Sequence, residues 1–121
     1  MSESTSKEEM VETAMKIIIN AGDARNLIKE ALEAIEAQSF DRAEEKIKQA
    51  NGYIKIAHEA QTDTIQSEAR GEKLEYSLLF SHAQDTLMTI SSEYNIANQM
   101  IKVFKSFSTR LEALETAYRQ R

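Results

Sequence analysis

The 121-residue sequence has no cysteine, no proline and only three glycines. Without cysteine the chain has no disulfide, no thiolate metal ligand and no cysteine nucleophile. Without proline, and with a composition rich in Ala, Glu, Lys and Leu, it is expected to form long helices. With only two histidines, a zinc site is not expected. These absences predict an all-α protein with few groups able to do chemistry.

Several targeting and binding signals are also missing. The first ten residues, MSESTSKEEM, have neither a basic start nor an apolar run, so no signal peptide is predicted. No apolar run approaches the length of a membrane span. The net charge is −5 and no cluster of Lys and Arg stands out, which argues against nucleic-acid binding. A glycine-rich phosphate loop is absent as well. We therefore expect a soluble cytoplasmic protein.

Apolar residues recur at helical spacing in three long segments, separated by two short breaks. Helices joined by connections this short must run up, down and up. We therefore predict an antiparallel three-helix bundle that forms a single domain over residues 1–121. The predicted helices cover residues 7–37, 41–69 and 77–118.

Each predicted helix has an apolar stripe that is expected to face the core. Ser39 or Asp41 is expected to cap the second helix, and Gly71 is expected to end it. The second stripe turns polar after Ala57, where the helix leaves the core or faces a site. The three stripes are, in order, Met10, Ala14, Ile17, Ala21, Ala24, Ile28, Ala31 and Ile35; Ala43, Ile47, Ala50, Ile54, Ala57, Gln61 and Thr64; and Ala83, Leu87, Ile90, Tyr94, Ala97, Ile101, Phe104, Ser108 and Leu111.

A nearly uncharged stretch opens the third helix. Residues 76–92, YSLLFSHAQDTLMTISS, contain one formally charged residue, Asp85. At the 29% charged fraction of the chain, a stretch of this length would carry about five charges. A helix surface in contact with water would normally carry them, so the stretch is expected to be buried on most sides.

A second stripe runs along the side of this helix opposite the core, and we call it the quiet face. It is either a solvated surface of small polar residues or, as we favour, a contact with other copies of the chain. On a cyclic symmetry axis, copies of Asp85 would converge and recruit a cation such as Mg²⁺; otherwise Asp85 is an ordinary surface carboxylate. The quiet face comprises Leu78, His82, Asp85, Thr89, Ser92, Ile96, Gln99 and Val103.

His82 is the candidate nucleophile on the quiet face. An imidazole nitrogen accepts a phosphoryl group at neutral pH, although a lone histidine is more often structural. The other histidine, His58, follows Ala57 on the second helix, with the charged residues Lys55 and Glu59 nearby, and is expected at the surface.

The segment Ser81-His82-Ala83-Gln84-Asp85 resembles the active-site segment of the lactose/cellobiose-type IIA proteins of the sugar phosphotransferase system (PTS). The segment 18–25, IINAGDAR, resembles the first helix of that family. The similarity extends over nearly the whole chain in helix order and break positions.

The resemblance implies a homotrimer with the third helices near its three-fold axis. It also implies that His82 is the phosphorylated residue, with the phosphoryl group on its tele nitrogen. The three copies of Asp85 would share one divalent metal ion, Mg²⁺, per trimer. The phosphoryl donor would be the carrier HPr, and the acceptor a cysteine of the cognate IIB, which serves a β-linked disaccharide entering through membrane IIC.

Supporting roles and one rival function remain as expectations. Gln84 and Ser81 are expected to donate hydrogen bonds to the phosphate oxygens. An apolar rim around His82 is expected from Phe80, Leu79 and Met88, or from a neighbouring subunit. The alternative function is a non-catalytic helical adaptor, in which the quiet face docks a partner helix.

Overall fold

The computed structural model describes residues 7–72 and 77–121, which form three α-helices and no strand. The all-α prediction is confirmed, and every predicted helix boundary lies within one residue of the observed one. The predicted features at Lys73, at Tyr76 and in the first six residues lie outside the described residues. No helix in the described ranges is long and apolar enough to cross a membrane. The helices are α1 (Lys7–Glu36), α2 (Phe40–Ala69) and α3 (Leu78–Arg119).

Side-chain contacts show that neighbouring helices run in opposite directions. Gln61 Nε2 donates to Gln84 Oε1 at 3.1 Å near the end of α2 and the start of α3. Lys105, late in α3, places its Nζ 3.0 Å from Oε1 of Glu44, which lies near the start of α2. Later residues of α3 therefore meet earlier residues of α2. This is the predicted antiparallel arrangement.

Two left-handed turns reverse the chain. Gln38 has a φ of 62°, and the N–H groups of Gln38 and Ser39 donate to the carbonyls of Ile35 and Ala34 at 2.9 and 2.8 Å. This pair of bonds is a Schellman motif, which usually has glycine at the left-handed position. α2 ends in the same motif with Gly71, at φ 89°, as predicted.

The helix starts differ in how they are capped. Ser39 occupies the N-cap position of α2 but makes no side-chain capping bond, so only its position was predicted correctly. Asp41 lies in the first turn of α2, where its charge suits the helix dipole. Ser77 caps α3, because its Oγ accepts a hydrogen bond from the Phe80 N–H at 3.0 Å.

The core between the helices is narrow and rich in alanine. Ten of its eighteen buried apolar residues are alanines, which allows the helices to approach closely, as the first stripe predicted. At the end of α1, Ala34 is buried and the predicted Ile35 is only half-buried. The larger buried residues are Met10, Ile17, Ile28, Ile47, Phe80, Leu87, Ile90 and Ile101.

The core ends before α3 does. Ile101 is the last buried residue of α3, and Phe104 and Leu111 are 46% and 57% exposed. The prediction that these two side chains belong to the core is therefore wrong. The 42 residues of α3 span about 63 Å, and the 30 residues of α1 span about 45 Å, so α1 is too short to cover the end of α3.

Candidate functional site

His82 lies in the second turn of α3 with its side chain exposed. The carbonyl oxygen of His82 accepts a hydrogen bond from Thr86 Oγ1 at 2.9 Å. Within the described ranges no side chain is hydrogen-bonded to its ring. The start of α3, one turn before His82, is fixed by the capping bond in which Ser77 Oγ accepts from the Phe80 N–H. The imidazole is thus held on a rigid, capped helix while its nitrogens remain open to a reaction partner.

The quiet face surrounds His82 and is uncovered in a single chain. All eight of its residues are exposed, and Leu78, Ile96 and Val103 are 73%, 54% and 48% exposed. The opposite side of α3 packs against α1 and α2 as predicted. The expectation that this stretch is buried on most sides does not hold for one chain alone. The low charge of the quiet face is therefore not explained by contacts within the chain.

Asp85 lies one turn after His82 on the quiet face, and its side chain is exposed. Its carbonyl oxygen accepts a hydrogen bond from Thr89 Oγ1 at 2.9 Å. Among the described residues no group of three His, Cys, Asp or Glu side chains is placed to hold a metal ion. One chain thus supplies a single carboxylate at this position, and a metal site here requires other copies.

Gln84 and Ser81 are placed differently from His82. Gln84 follows His82 by two residues, which is about 200° around a helix. The Gln84 side chain is half-buried and accepts the hydrogen bond from Gln61 of α2. Ser81 is half-buried beside His82. Within one chain, Gln84 therefore supports the α2–α3 contact and points away from the imidazole.

The apolar surroundings of His82 differ from the prediction. Phe80 is 7% exposed and belongs to the core, so the prediction that it forms an exposed rim is wrong. Leu79 is half-buried against the same core cluster, and Met88 is 67% exposed. Leu78, one turn before His82 and 73% exposed, is the large apolar residue of the quiet face that lies nearest to His82 along the helix.

A contact that sequence reasoning missed joins α1 to α3. Arg25 Nε and Nη2 donate to the two carboxylate oxygens of Glu93 at 3.0 and 2.8 Å. The hydrogen bond to Glu93, together with the attraction of opposite charges, raises the pKa of Arg25. Residues this far apart in sequence give no local signal of pairing. The other histidine, His58, is exposed on α2, as predicted.

Known proteins resemble this chain in sequence and in fold. The family described as "PTS system, Lactose/Cellobiose specific IIA subunit" matches residues 12–105. The lactose-specific EIIA component of the PTS of Staphylococcus epidermidis is 37% identical, over 84% of this chain and 98% of that protein. The matched region covers most of α1, all of α2 and most of α3.

Two solved structures share the three-helix fold. The crystal structure of PtcA from S. mutans is 36% identical with a TM-score of 0.82, covering 84% of this chain and 99% of that one. A solution structure of the IIA(Chitobiose)–HPr complex of the Escherichia coli phosphotransferase system is 31% identical with a TM-score of 0.72, covering 83% and 97%. This chain belongs to the lactose/cellobiose-specific IIA family of the phosphotransferase system.

Proposed function

We propose that the chain is a phosphocarrier in which His82 accepts a phosphoryl group from phospho-HPr. A lone pair on the His82 tele nitrogen attacks phosphorus, and the bond from phosphorus to the donor histidine breaks. The thiolate of the IIB cysteine then takes the same group, which frees the imidazole. The observation that carries the proposal is an exposed histidine on a capped helix in a chain of this family.

The surroundings of His82 suit a group that must be gained and lost. No acidic side chain lies in the first turn of α3, so that turn carries no like charge that would repel an added phosphoryl group. The exposed Leu78 provides an apolar surface for a docking carrier. A solution structure of a relative describes a complex with HPr, which supports HPr as the donor.

The proposal places the chain in the cytoplasm as one domain, upstream of IIB and membrane IIC, on the route of a β-linked disaccharide. It predicts uptake of one acid-labile phosphate per chain from phosphoenolpyruvate through enzyme I and HPr. The measurement is the stoichiometry of label on the purified full-length chain. A chain that never takes up phosphate, yet captures a helical partner, would be the non-catalytic adaptor.

We further propose that the quiet face is the contact within a homotrimer. An uncharged, partly apolar surface that its own chain leaves exposed is typical of an interface. Three-fold symmetry would bring three copies of Asp85 together, whereas the described residues of a single chain include no group of three side chains that could hold a metal ion. A bound Mg²⁺ would neutralise these carboxylates, since carboxylate oxygens are ligands that this ion prefers. Gln84 and Ser81 stay predictions as donors of hydrogen bonds to the phosphate oxygens.

Chelation is expected to lower the melting temperature of the trimer. Without a cation the three carboxylates repel one another at the axis, so thermal unfolding followed by circular dichroism should shift down by several degrees after EDTA treatment, by the usual relation between stability and melting temperature. In Asp85→Leu the shift should disappear, because no charge remains to be neutralised. A wild-type protein whose melting temperature is indifferent to EDTA and to added Mg²⁺ would contradict the metal site.

A further inference from the structure

A groove lies where the bundle ends and α3 continues alone. It is bordered by the end of α1, the start of α2 and the part of α3 after Ile101, the last buried residue of that helix, and its volume is about 560 Å³. We call it the corner groove. Its apolar lining consists of three aliphatic and three aromatic side chains, which are Leu32, Ile35, Leu111, Phe40, Phe104 and Phe107.

The rim of the corner groove is acidic. Glu36, Glu112 and Glu115 line it, and none of the described lysines or arginines does. Within residues 7–72 and 77–121 these three carboxylates have no ion-pair partner. Glu36 is the last residue of α1, whose last turn contains no basic residue, so its charge adds to the negative end of the helix dipole. The groove therefore combines an apolar floor with uncompensated negative charge.

The exposed apolar surface is longer than the groove itself. Leu114 and Tyr118, 68% and 74% exposed, follow the groove residue Leu111 along α3. From Phe104 to Tyr118 this stretch of α3 is about 21 Å long. A ligand confined to the groove would leave Leu114 and Tyr118 uncovered. A helix laid alongside α3 would cover the whole stretch, because its apolar anchors recur every three or four residues.

The rest of the chain does not reach the corner groove. Residues 1–6 precede α1, and Leu32 lies 25 residues after Lys7 on that helix, a distance of about 38 Å. Six residues span at most about 21 Å even when fully extended. Residues 73–76 join the end of α2 to the start of α3, which is also at the far end of the bundle. The occupant is therefore a separate molecule.

Charge argues that this molecule is not a second copy of the chain. In a two-fold contact a surface meets itself, so the acidic rim would face an identical acidic rim. The chain as a whole has a net charge of −5. Glu112 lies 27 residues after Asp85, about 180° around α3, so the groove stays open when the quiet face is covered. Complementarity favours a partner whose apolar residues are flanked by lysine or arginine.

We propose that the corner groove and the end of α3 bind an amphipathic helix of another protein, with an apolar stripe flanked by Lys and Arg. Its apolar side chains contact Phe104 and Leu111, and its cations pair with Glu112 and Glu115. The family match ends at residue 105, so most of the α3 part of this surface lies beyond the matched region. The interaction is separate from phosphoryl transfer, because Leu111 lies 29 residues after His82 on α3, about 44 Å away.

A synthetic helix tests the proposal on the full-length chain. The probe is a dye-labelled peptide of about 18 residues, with leucine at alternating spacings of three and four and lysine on both flanks. The control peptide has glutamate in place of every lysine. Fluorescence anisotropy should show saturable binding of the lysine peptide and at least about tenfold weaker binding of the glutamate peptide. Added salt should weaken the binding of the lysine peptide.

One pair of variants tests the apolar contact. Leu111→Asp should weaken binding of the lysine peptide by about tenfold or more, because it places a charge in an apolar contact. Leu111 is 57% exposed, so the variant should keep its fold, as checked by circular dichroism. Ile65→Asp makes the same kind of change at a site on α2 that is 47% exposed. It should bind within about twofold of wild type.

A second pair of variants tests the acidic rim. Glu112→Lys combined with Glu115→Lys should weaken binding of the lysine peptide about tenfold in physiological salt. Glu59→Lys combined with Glu68→Lys changes the net charge equally at exposed sites on α2. The second combination should alter binding by no more than about twofold, because distant charges are screened.

Four results would overturn the proposal. The first is no saturable binding of the lysine peptide up to about 1 mM, the limit of weak specific affinity. The second is equal binding of the two peptides, which would mean that charge does not select the partner. The third is an equal loss in the groove variants and their controls, which would place the binding elsewhere. The fourth is a smaller oligomer of Leu111→Asp in sedimentation, which would show that another copy of this chain covers the groove.

Discussion

The variant His82→Gln is expected to take up no phosphate from phosphoenolpyruvate, enzyme I and HPr. The side chain of glutamine has a similar reach and can hydrogen-bond, but its amide nitrogen is not a nucleophile because its lone pair is delocalised into the carbonyl. Loss of label should therefore exceed 100-fold, while circular dichroism and melting temperature stay near wild type because His82 is exposed. The measurement is acid-labile phosphate per chain at equal protein concentration.

The second histidine of the chain provides a matched control. His58 is also exposed, but it lies on α2 and outside the quiet face. His58→Gln should take up phosphate to the wild-type level, since it removes the same chemistry from a different place. Label retained by His82→Gln and lost by His58→Gln would reverse the assignment, and label retained by both would exclude histidine as the acceptor.

Leu87→Ala is expected to lower the free energy of unfolding by about 3 kcal/mol, within the range for buried leucines. Leu87 is 1% exposed and lies in the core cluster that includes Ile17 and Phe80. A core built largely of alanines has few large side chains that can move in to fill the cavity. The measurement is urea unfolding followed by circular dichroism, at a protein concentration held constant across variants.

Ile65→Ala removes the same number of carbon atoms at an exposed site. Ile65 is 47% exposed near the end of α2, outside the quiet face. Its replacement should change the free energy of unfolding by no more than about 0.5 kcal/mol. Similar losses for Leu87→Ala and Ile65→Ala would mean that the core does not lie between the three helices as described.

The periodic parts of the fold could be predicted because each helix repeats its signal many times. Gly71 marked the end of α2 through its tolerance of positive φ, and that end is observed where expected. Gln38 also has a positive φ at the end of α1, but no glycine stands there to indicate it in the sequence. The apolar stripe also continues through Phe104 and Leu111, although no core exists at that height. Periodicity shows which side of a helix is apolar, but not how far its neighbours extend.

The site shows a similar division. The spacing of residues along the third helix was enough to place His82 on the quiet face, and its side chain is exposed there. The contact of Gln84 with Gln61 could not be foreseen, because it depends on how α2 and α3 pack. The pairing of Arg25 with Glu93 is equally non-local. Side chains that act between helices carry no mark in the sequence of either helix.

The length of α3 places its C-terminal end far from His82. His82 and Leu114 lie 32 residues apart on one continuous helix, a distance of about 48 Å. Charge at one end is not felt at the other, since the screening length in physiological salt is about 8 Å. A label, a surface tether or a fused domain attached after Arg121 would thus leave the approach of carriers to His82 unobstructed, which makes this end of the chain a natural place to immobilise the protein.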